Sequence, residues 1–176
     1  LNELLIELSN LYRLRARDKG LTFTFKQSPD VPSHVLGDPG RLRQILNNLL
    51  VNALKFTRQG EFGLSIERVD WGNSNPPESI VALRFSVHDT GIGIAPDEQK
   101  KLFTRFSQVN SSTTSEYSGS GLGLAIVRQL CERMDGTVKL VSTPNHGSIF
   151  SCELRFTQAV PTTVDPVTPA PEREYM

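Results

Sequence analysis

Asp38-Pro39-Gly40-Arg41-Leu42-Arg43-Gln44-Ile45-Leu46-Asn47-Asn48-Leu49-Leu50-Val51-Asn52-Ala53-Leu54-Lys55-Phe56-Thr57 reads as one amphipathic helix with its own start signal. An aspartate can accept an orphan backbone N–H, and proline is tolerated in the first turn. Leu42, Ile45, Leu46, Leu49, Leu50 and Ala53 recur at three- and four-residue steps, so they form an apolar stripe that must be covered. Gly60 closes the segment. At ~100° per residue, Asn48, Asn52 and Lys55 fall within about 60° of one another beside that stripe, and Arg41 shares the edge. Asparagine is a mediocre helix former, so two mid-helix amides four apart require a reason. One reason is a pair of amides hydrogen-bonding a neighbouring loop. The other is an amide oxygen ligating a hard cation such as Mg²⁺ while the lysine meets phosphate oxygens. Spacing alone does not choose.

On the N-terminal side, Leu1, Leu4, Leu5, Leu8, Leu11 and Tyr12 predict a helix that ends near Arg17-Asp18-Lys19-Gly20 and opens without a cap. Leu21, Phe23 and Phe25 alternate with threonines as in a half-buried strand. On the C-terminal side, Phe62, Leu64 and Ile66 predict a strand, and Val81, Leu83, Phe85 and Val87 a neighbouring one across the polar loop 70–79. Pro96 to about Phe106 reads as a short helix with Leu102, Phe103 and Phe106 inward. Residues 107–121 are Ser-, Thr-, Asn- and Gly-rich with little periodicity, the composition of a movable functional loop. Helical periodicity resumes from Leu122 to Asp135, and a last hairpin pairs Val138–Val141 with Ile149–Phe156. From Thr157 onward the prolines and lack of apolar pattern predict a disordered tether, so the expected domain is 1–156 and the tail 157–176.

The 176 residues match one domain, and Lys plus Arg number 19 against 19 Asp plus Glu. A net charge of zero argues against a nucleic-acid binder, which normally carries a basic excess. No stretch approaches the ~20 apolar residues of a membrane span, and the N-terminus lacks the charged-then-apolar order of a signal peptide, so no direct membrane contact is expected. Cys131 and Cys152 lack CxxC spacing and read as small buried hydrophobes in a reducing compartment.

Two further constellations carry chemistry. Asp89-Thr90-Gly91-Ile92-Gly93 ends an apolar strand, where glycines let a flat ligand approach and a carboxylate can accept a hydrogen bond from an exocyclic amine such as adenine N6. Gly119-Ser120-Gly121-Leu122-Gly123-Leu124 runs a glycine-rich loop into a helix, whose N-terminal N–H groups suit phosphate. Each is individually common: strand-to-turn junctions often read like the first, and a Rossmann fingerprint matches the second, though no βαβ unit accompanies it here.

In this order, these segments resemble the ATP-binding catalytic domain of bacterial, hybrid-type sensor histidine kinases. The resemblance covers nearly all of 1–156: an N box over Asn48–Thr57, a first glycine box at Asp89–Ile94, a phenylalanine box at Leu102-Phe103-Thr104-Arg105-Phe106, a second glycine box at Gly119–Leu124 and a last glycine motif at Gly147-Ser148-Ile149-Phe150. It implies an α/β two-layer sandwich, with about three helices on one face of a mixed, largely antiparallel sheet and a flexible ATP lid. It also implies that Asn52 holds Mg²⁺, that Asn48 and Lys55 meet phosphates as the catalytic pair, and that Asp89 reads adenine while Gly91 and Gly93 admit the base. Gly119, Gly121, Leu122 and Gly123 would form the phosphate end, and Ser148 would support Asp89 directly or through water. The reaction implied is transfer of the γ-phosphoryl group of ATP to a histidine, chiefly by positioning and charge neutralisation. Related ATPases of this fold carry a glutamate where Asn48 stands, which favours transfer over hydrolysis here.

No His-Glu/Asp-x-x-x-Pro-like stretch surrounds His34, His88 or His146, so the acceptor histidine is expected on a separate dimerisation domain. The other expected partners are a receiver domain or response regulator, with another sensor kinase as a further possibility. The resemblance places the fragment in the cytoplasm, as the cytoplasmic part of an inner-membrane receptor. The lid departs from the family pattern: Thr113-Thr114 precede Ser115-Glu116-Tyr117 and Ser118-Gly119, where relatives often carry a cation and a glycine pair. A cation lost and a carboxylate gained near triphosphate costs about 1–4 kcal/mol. A Glu116 pointing to water costs nothing, and that reading is preferred. The alternative function is a degenerate, nucleotide-poor domain that regulates another kinase by contact; an ATP-hydrolysing clamp is disfavoured by Asn48.

Overall fold

The structure, a computed structural model, describes residues 1–70, 79–100, 102 and 123–159. Its elements run α1 (Asn2–Asp18), β1 (Thr22–Gln27), β2 (Val35–Leu36), α2 (Pro39–Phe56), β3 (Glu61–Arg68), β4 (Ile80–Asp89), α3 (Pro96–Gln99), α4 (Gly123–Arg133), β5 (Thr137–Thr143) and β6 (Gly147–Gln158). The six strands form one sheet in the order β1-β3-β4-β6-β2, with β5 also on β6. Only β1 and β3 are parallel; the other pairs are antiparallel, so the sheet is mixed and largely antiparallel as the resemblance implies.

Period-two alternation sends Phe62, Leu64 and Ile66 of β3, Val81, Leu83, Phe85 and Val87 of β4, and Phe150, Cys152, Leu154 and Phe156 of β6 to one face, where all are buried. Helices α1, α2 and α4 cover that face. The α2 stripe is the centre of the layer: Leu42, Ile45, Leu46, Leu49, Leu50 and Ala53 are all buried, and each leucine so placed contributes about 1.5–3 kcal/mol. Asp38 caps α2 as expected, accepting the Arg41 N–H at 3.0 Å, with Pro39 in the first turn. Tyr12, Phe23 and Phe62 stack edge-on or tilted where α1 meets β1 and β3. The Tyr12 hydroxyl is satisfied by Asn47 Oδ1 at 3.0 Å.

The opposite face is polar. On it Arg84 joins Glu67 and Glu153, and Lys139 also reaches Glu153.

Three features differ from the sequence reading. Leu11 is 38% exposed rather than part of the covered face of α1, because Leu4, Leu5, Leu8, Tyr12 and Ala16 already complete it. The two-residue β2 has no alternation long enough to announce it; it exists by pairing with Thr157 and Gln158, which extends β6 past Phe156. The α3 helix spans only Pro96–Gln99, with Lys100 and the buried Leu102 in turns; 101 and 103–106 of the helix expected to Phe106 lie outside the described residues. The loop expected over 107–121 and residues 160–176 of the tail expected over 157–176 also lie outside them.

Candidate functional site

Two parts of the fold meet α2: the start of α4 beside Asn48, and the turn after β4 beside Phe56. Asn48, Asn52 and Lys55 are all half-buried along one edge of α2, and Lys55 Nζ lies 5.3 Å from the centre of the Phe56 ring. Asn48 faces the start of α4: a Cβ added to Gly123 would stand 3.6 Å from its Oδ1. The N-box edge and the end of the second glycine box are therefore neighbours. Arg41, expected on the same edge, is turned to Asp38 at 3.1 Å and belongs to the helix start.

Asp89 is the last residue of β4, paired with Phe62 on one side and Ser148 on the other. Its carboxylate accepts the Gly91 N–H at 2.8 Å. Burial raises its pKa above the ordinary carboxylate value, while the backbone N–H groups of Gly91 and Ser148 and the neighbouring His88 pull it back. Ser148 supports Asp89 through its backbone; its hydroxyl pairs with Ser142 Oγ at 2.9 Å.

The glycines of the first box are demanded by the protein's own packing. A Cβ on Gly91 would stand 2.4 Å from the Phe56 carbonyl oxygen and 2.8 Å from Asp89 Oδ1. Gly93 has φ +64°, and its Cβ would strike the Thr143 carbonyl. The turn after Asp89 is wedged between the end of α2 and the β5–β6 hairpin, whatever lies beside it.

Sequence reasoning missed the residues that hold this wedge. Ser142 Oγ accepts the Ile94 N–H at 2.9 Å, and Gln99 Nε2 donates to the carbonyls of Ile94 at 2.8 Å and Ser142 at 3.0 Å. Thr90 Oγ1 accepts the Glu61 N–H at 3.0 Å, tying the turn to β3. No sequence pattern marks them, since each acts across strands distant in the chain. Gly119, Gly121 and Leu122, the phosphate end expected from sequence, lie outside the described residues, as do Ser115, Glu116 and Ser118.

Each of the three histidines has a local partner. His34 pairs with Ser33 and His146 with the Pro144 carbonyl on exposed turns, while His88 meets Thr24 on the polar sheet face. Cys131 and Cys152 are buried free thiols, as expected. Among the described residues no group of three or more His, Cys, Asp or Glu is arranged to hold a metal. The ligand atoms that the α2 edge offers a cation are the amide oxygens of Asn48 and Asn52; the Lys55 ammonium is a partner for phosphate, not for metal. That set suits Mg²⁺, which takes few protein oxygens and completes its shell with phosphate and water.

A carboxylate at a strand end, an amide-lined helix edge and a glycine-entered helix, on a one-sided α/β sheet, define an ATPase-type nucleotide-binding domain. Residues 37–158 match the family described as histidine kinase-, DNA gyrase B- and HSP90-like ATPase, and the chain belongs to that family. It is 39% identical over 150 residues to the signal transduction histidine-protein kinase BarA of Escherichia coli (strain K12), covering 85% of this chain and 16% of that protein. It is 42% identical over 132 residues to the peroxide stress-activated histidine kinase mak2 of Schizosaccharomyces pombe, 75% of this chain and 6% of that one. The chain therefore spans a small part of the relatives it matches. Among solved structures, full-length ShkA in complex with AMPPNP superposes with a TM-score of 0.74 at 38% identity, over 89% of this chain and 30% of that one. The mycobacterial sensor histidine kinase MprB gives 0.68 at 26% identity, over 90% and 95%. No helix among the described residues is long and apolar enough to cross a membrane.

Proposed function

We propose that this chain is the ATP-binding, phosphoryl-donating domain of a larger sensor kinase, passing the γ-phosphoryl group to a histidine on a separate dimerisation domain. The observation that carries the reading is Asp89: a partly buried carboxylate, held by the Gly91 N–H, beside the end of the helix that bears Asn48, Asn52 and Lys55. In this reading Asp89 accepts from adenine N6, Lys55 and Asn48 meet phosphate oxygens, and Asn52 holds Mg²⁺. Gly119, Gly121, Leu122 and Gly123 supply backbone N–H groups to the phosphates. When bound, Mg²⁺ supplies neutralisation of the charge that develops on the phosphates. The transfer breaks the bond from the γ-phosphorus to the bridging oxygen, leaves ADP, forms a nitrogen–phosphorus bond and releases the imidazole proton. The α2 helix carries no carboxylate, and an amide that cannot act as a base for water stands at Asn48, which fits transfer rather than hydrolysis.

The same reading takes the folded unit to close with β6 and a tether to follow it. It gives the full-length protein a dimerisation domain with the acceptor histidine and a receiver domain, and places this domain on the cytoplasmic side of a receptor. Calorimetric titration with Mg-ATP tests it: micromolar binding that is lost in Asp89→Asn and Asn52→Ala is the expected result, and no heat at millimolar nucleotide sinks it. The lid sequence Ser115-Glu116 motivates the second reading, a nucleotide-poor regulatory domain. Tight binding by the unaltered chain removes its basis.

A further inference from the structure

A helix end leaves its last four carbonyls without partners inside the helix. At the end of α2 these belong to Ala53, Leu54, Lys55 and Phe56; the C-cap Thr57 takes the first, and groups from other segments take the other three. The Ala53 carbonyl accepts the Thr57 N–H at 3.1 Å and Thr57 Oγ1 at 2.7 Å. The Phe56 carbonyl accepts the Ile92 N–H at 3.4 Å. Leu54, Lys55 and also Thr57 present their carbonyls to one side chain: Lys19 Nζ, at 2.5, 3.3 and 3.0 Å. An ammonium has three N–H donors and no acceptor, so one lysine can serve all three carbonyls. Its charge also lies at the negative end of the α2 macrodipole.

The position of Lys19 is itself set. It is the C-cap of α1, donating its N–H to the Ala16 carbonyl at 3.0 Å, and Gly20 follows with φ +71° to turn the chain into β1. The chain thus delivers one cation from the end of α1 to the end of α2. Lys55 projects from that last turn, and the Phe56 carbonyl next to it is the anchor of the turn that follows Asp89.

We infer that Lys19 is a positioning residue of the nucleotide site: by holding the last turn of α2 it fixes Lys55 and, through Phe56 and Ile92, the turn behind Asp89. The inference rests on the ATP reading above, in which Lys55 meets phosphate and Asp89 meets adenine. It assigns Lys19 no contact with nucleotide.

The test compares the wild-type chain with Lys19→Met and Lys19→Arg at a temperature where circular dichroism shows all three folded. Mg-ATP affinity is read by calorimetry, and amide exchange is read at Ile92 and, as a core reference, Phe85. Lys19→Met is expected to weaken Mg-ATP at least tenfold and to speed exchange at Ile92 at least tenfold with Phe85 unchanged; Lys19→Arg is expected to return affinity to within threefold. Affinity within threefold of wild type in Lys19→Met overturns the inference. So does equal acceleration at Ile92 and Phe85, which is the mark of general destabilisation. If Lys19→Met does not fold, Lys19→Gln, which keeps a donor without the charge, is read against the same thresholds. A wild-type chain that takes up no Mg-ATP defeats the ATP reading, and with it the role of Lys19 at a nucleotide site. The exchange data then report separately whether Lys19 holds the α2 end to the Ile92 turn.

Discussion

Asp89 and Ser148 stand opposite each other where β4 ends and β6 begins, and the Ser148 backbone N–H supports the Asp89 carboxylate while the Ser148 hydroxyl is turned to Ser142. The acid is therefore held by strand pairing and by the Gly91 turn, two features that a side-chain substitution at 148 leaves in place. Its properties should follow its own burial and charge.

Burial raises the Asp89 carboxyl above its ordinary 3.8. A raised native pKa means that the folded chain binds this proton more tightly than the unfolded chain. The stability it gives is present below the ordinary value and is lost as pH rises through the raised one. For nucleotide the dependence is opposite, because adenine N6 needs the ionised acceptor. Mg-ATP affinity should fall as pH falls toward the raised value. Asp89→Asn should bind about ten- to a hundredfold more weakly near neutral pH, the worth of one charged hydrogen bond, and should lose this acid dependence. Calorimetry from neutral pH down into the ordinary carboxylate range checks it; parallel curves for the two proteins would refute it.

Gly147 opens β6 with φ +96°, and a Cβ there would strike the Asp89 carbonyl. Gly147→Ala should lose about 1–3 kcal/mol from the backbone conformation, with the clash adding to it. Because the atom struck belongs to Asp89, nucleotide affinity should fall as well. Thermal unfolding and Mg-ATP titration of the same sample measure both; a variant with wild-type melting temperature contradicts the geometry.

Glu153 is 12% exposed and accepts from Arg84 at 2.9 Å and Lys139 at 3.0 Å. Burial alone raises its pKa, but the hydrogen bonds from Lys139 and Arg84 outweigh it and the carboxyl lies below its ordinary 4.5. That stability is present above the ordinary value and is lost as pH falls through the lowered one. Glu153→Gln should cost about 1–2 kcal/mol at neutral pH, since Lys139 is 63% exposed and its bond competes with water. The gap to wild type in urea unfolding should close in acid, and a gap that stays constant rules the account out.

Leu46 is fully buried at the centre of the α2 stripe. Leu46→Ala should destabilise the domain by about 2–5 kcal/mol, by lost burial plus the cavity left behind. Denaturant unfolding with an unchanged m-value is the expected signature.

Much of the fold was legible along the chain because local rules wrote it. The α2 stripe and the Asp38-Pro39 start locate that helix to within a residue, and the alternation in β3, β4 and β6 assigns each residue to its face. Of the site, the edge of Asn48, Asn52 and Lys55 and the strand-end position of Asp89 were visible for the same reason. The β2–β6 pairing, Leu11 at the surface and the Ser142, Gln99 and Thr90 contacts were not, since each depends on what another segment brings alongside.

Lys19 shows where that division falls. Local rules along the chain end a helix at Lys19-Gly20, because glycine takes the positive φ that stops α1. The same rules end a second helix near Thr57, leaving carbonyls that some donor must meet. That the donor is Lys19, 35 residues away from Leu54 in the chain, follows from packing alone. Helix periodicity and capping are set by neighbours a turn apart, whereas the meeting of two helix ends is set by how α1 and α2 pack on one sheet.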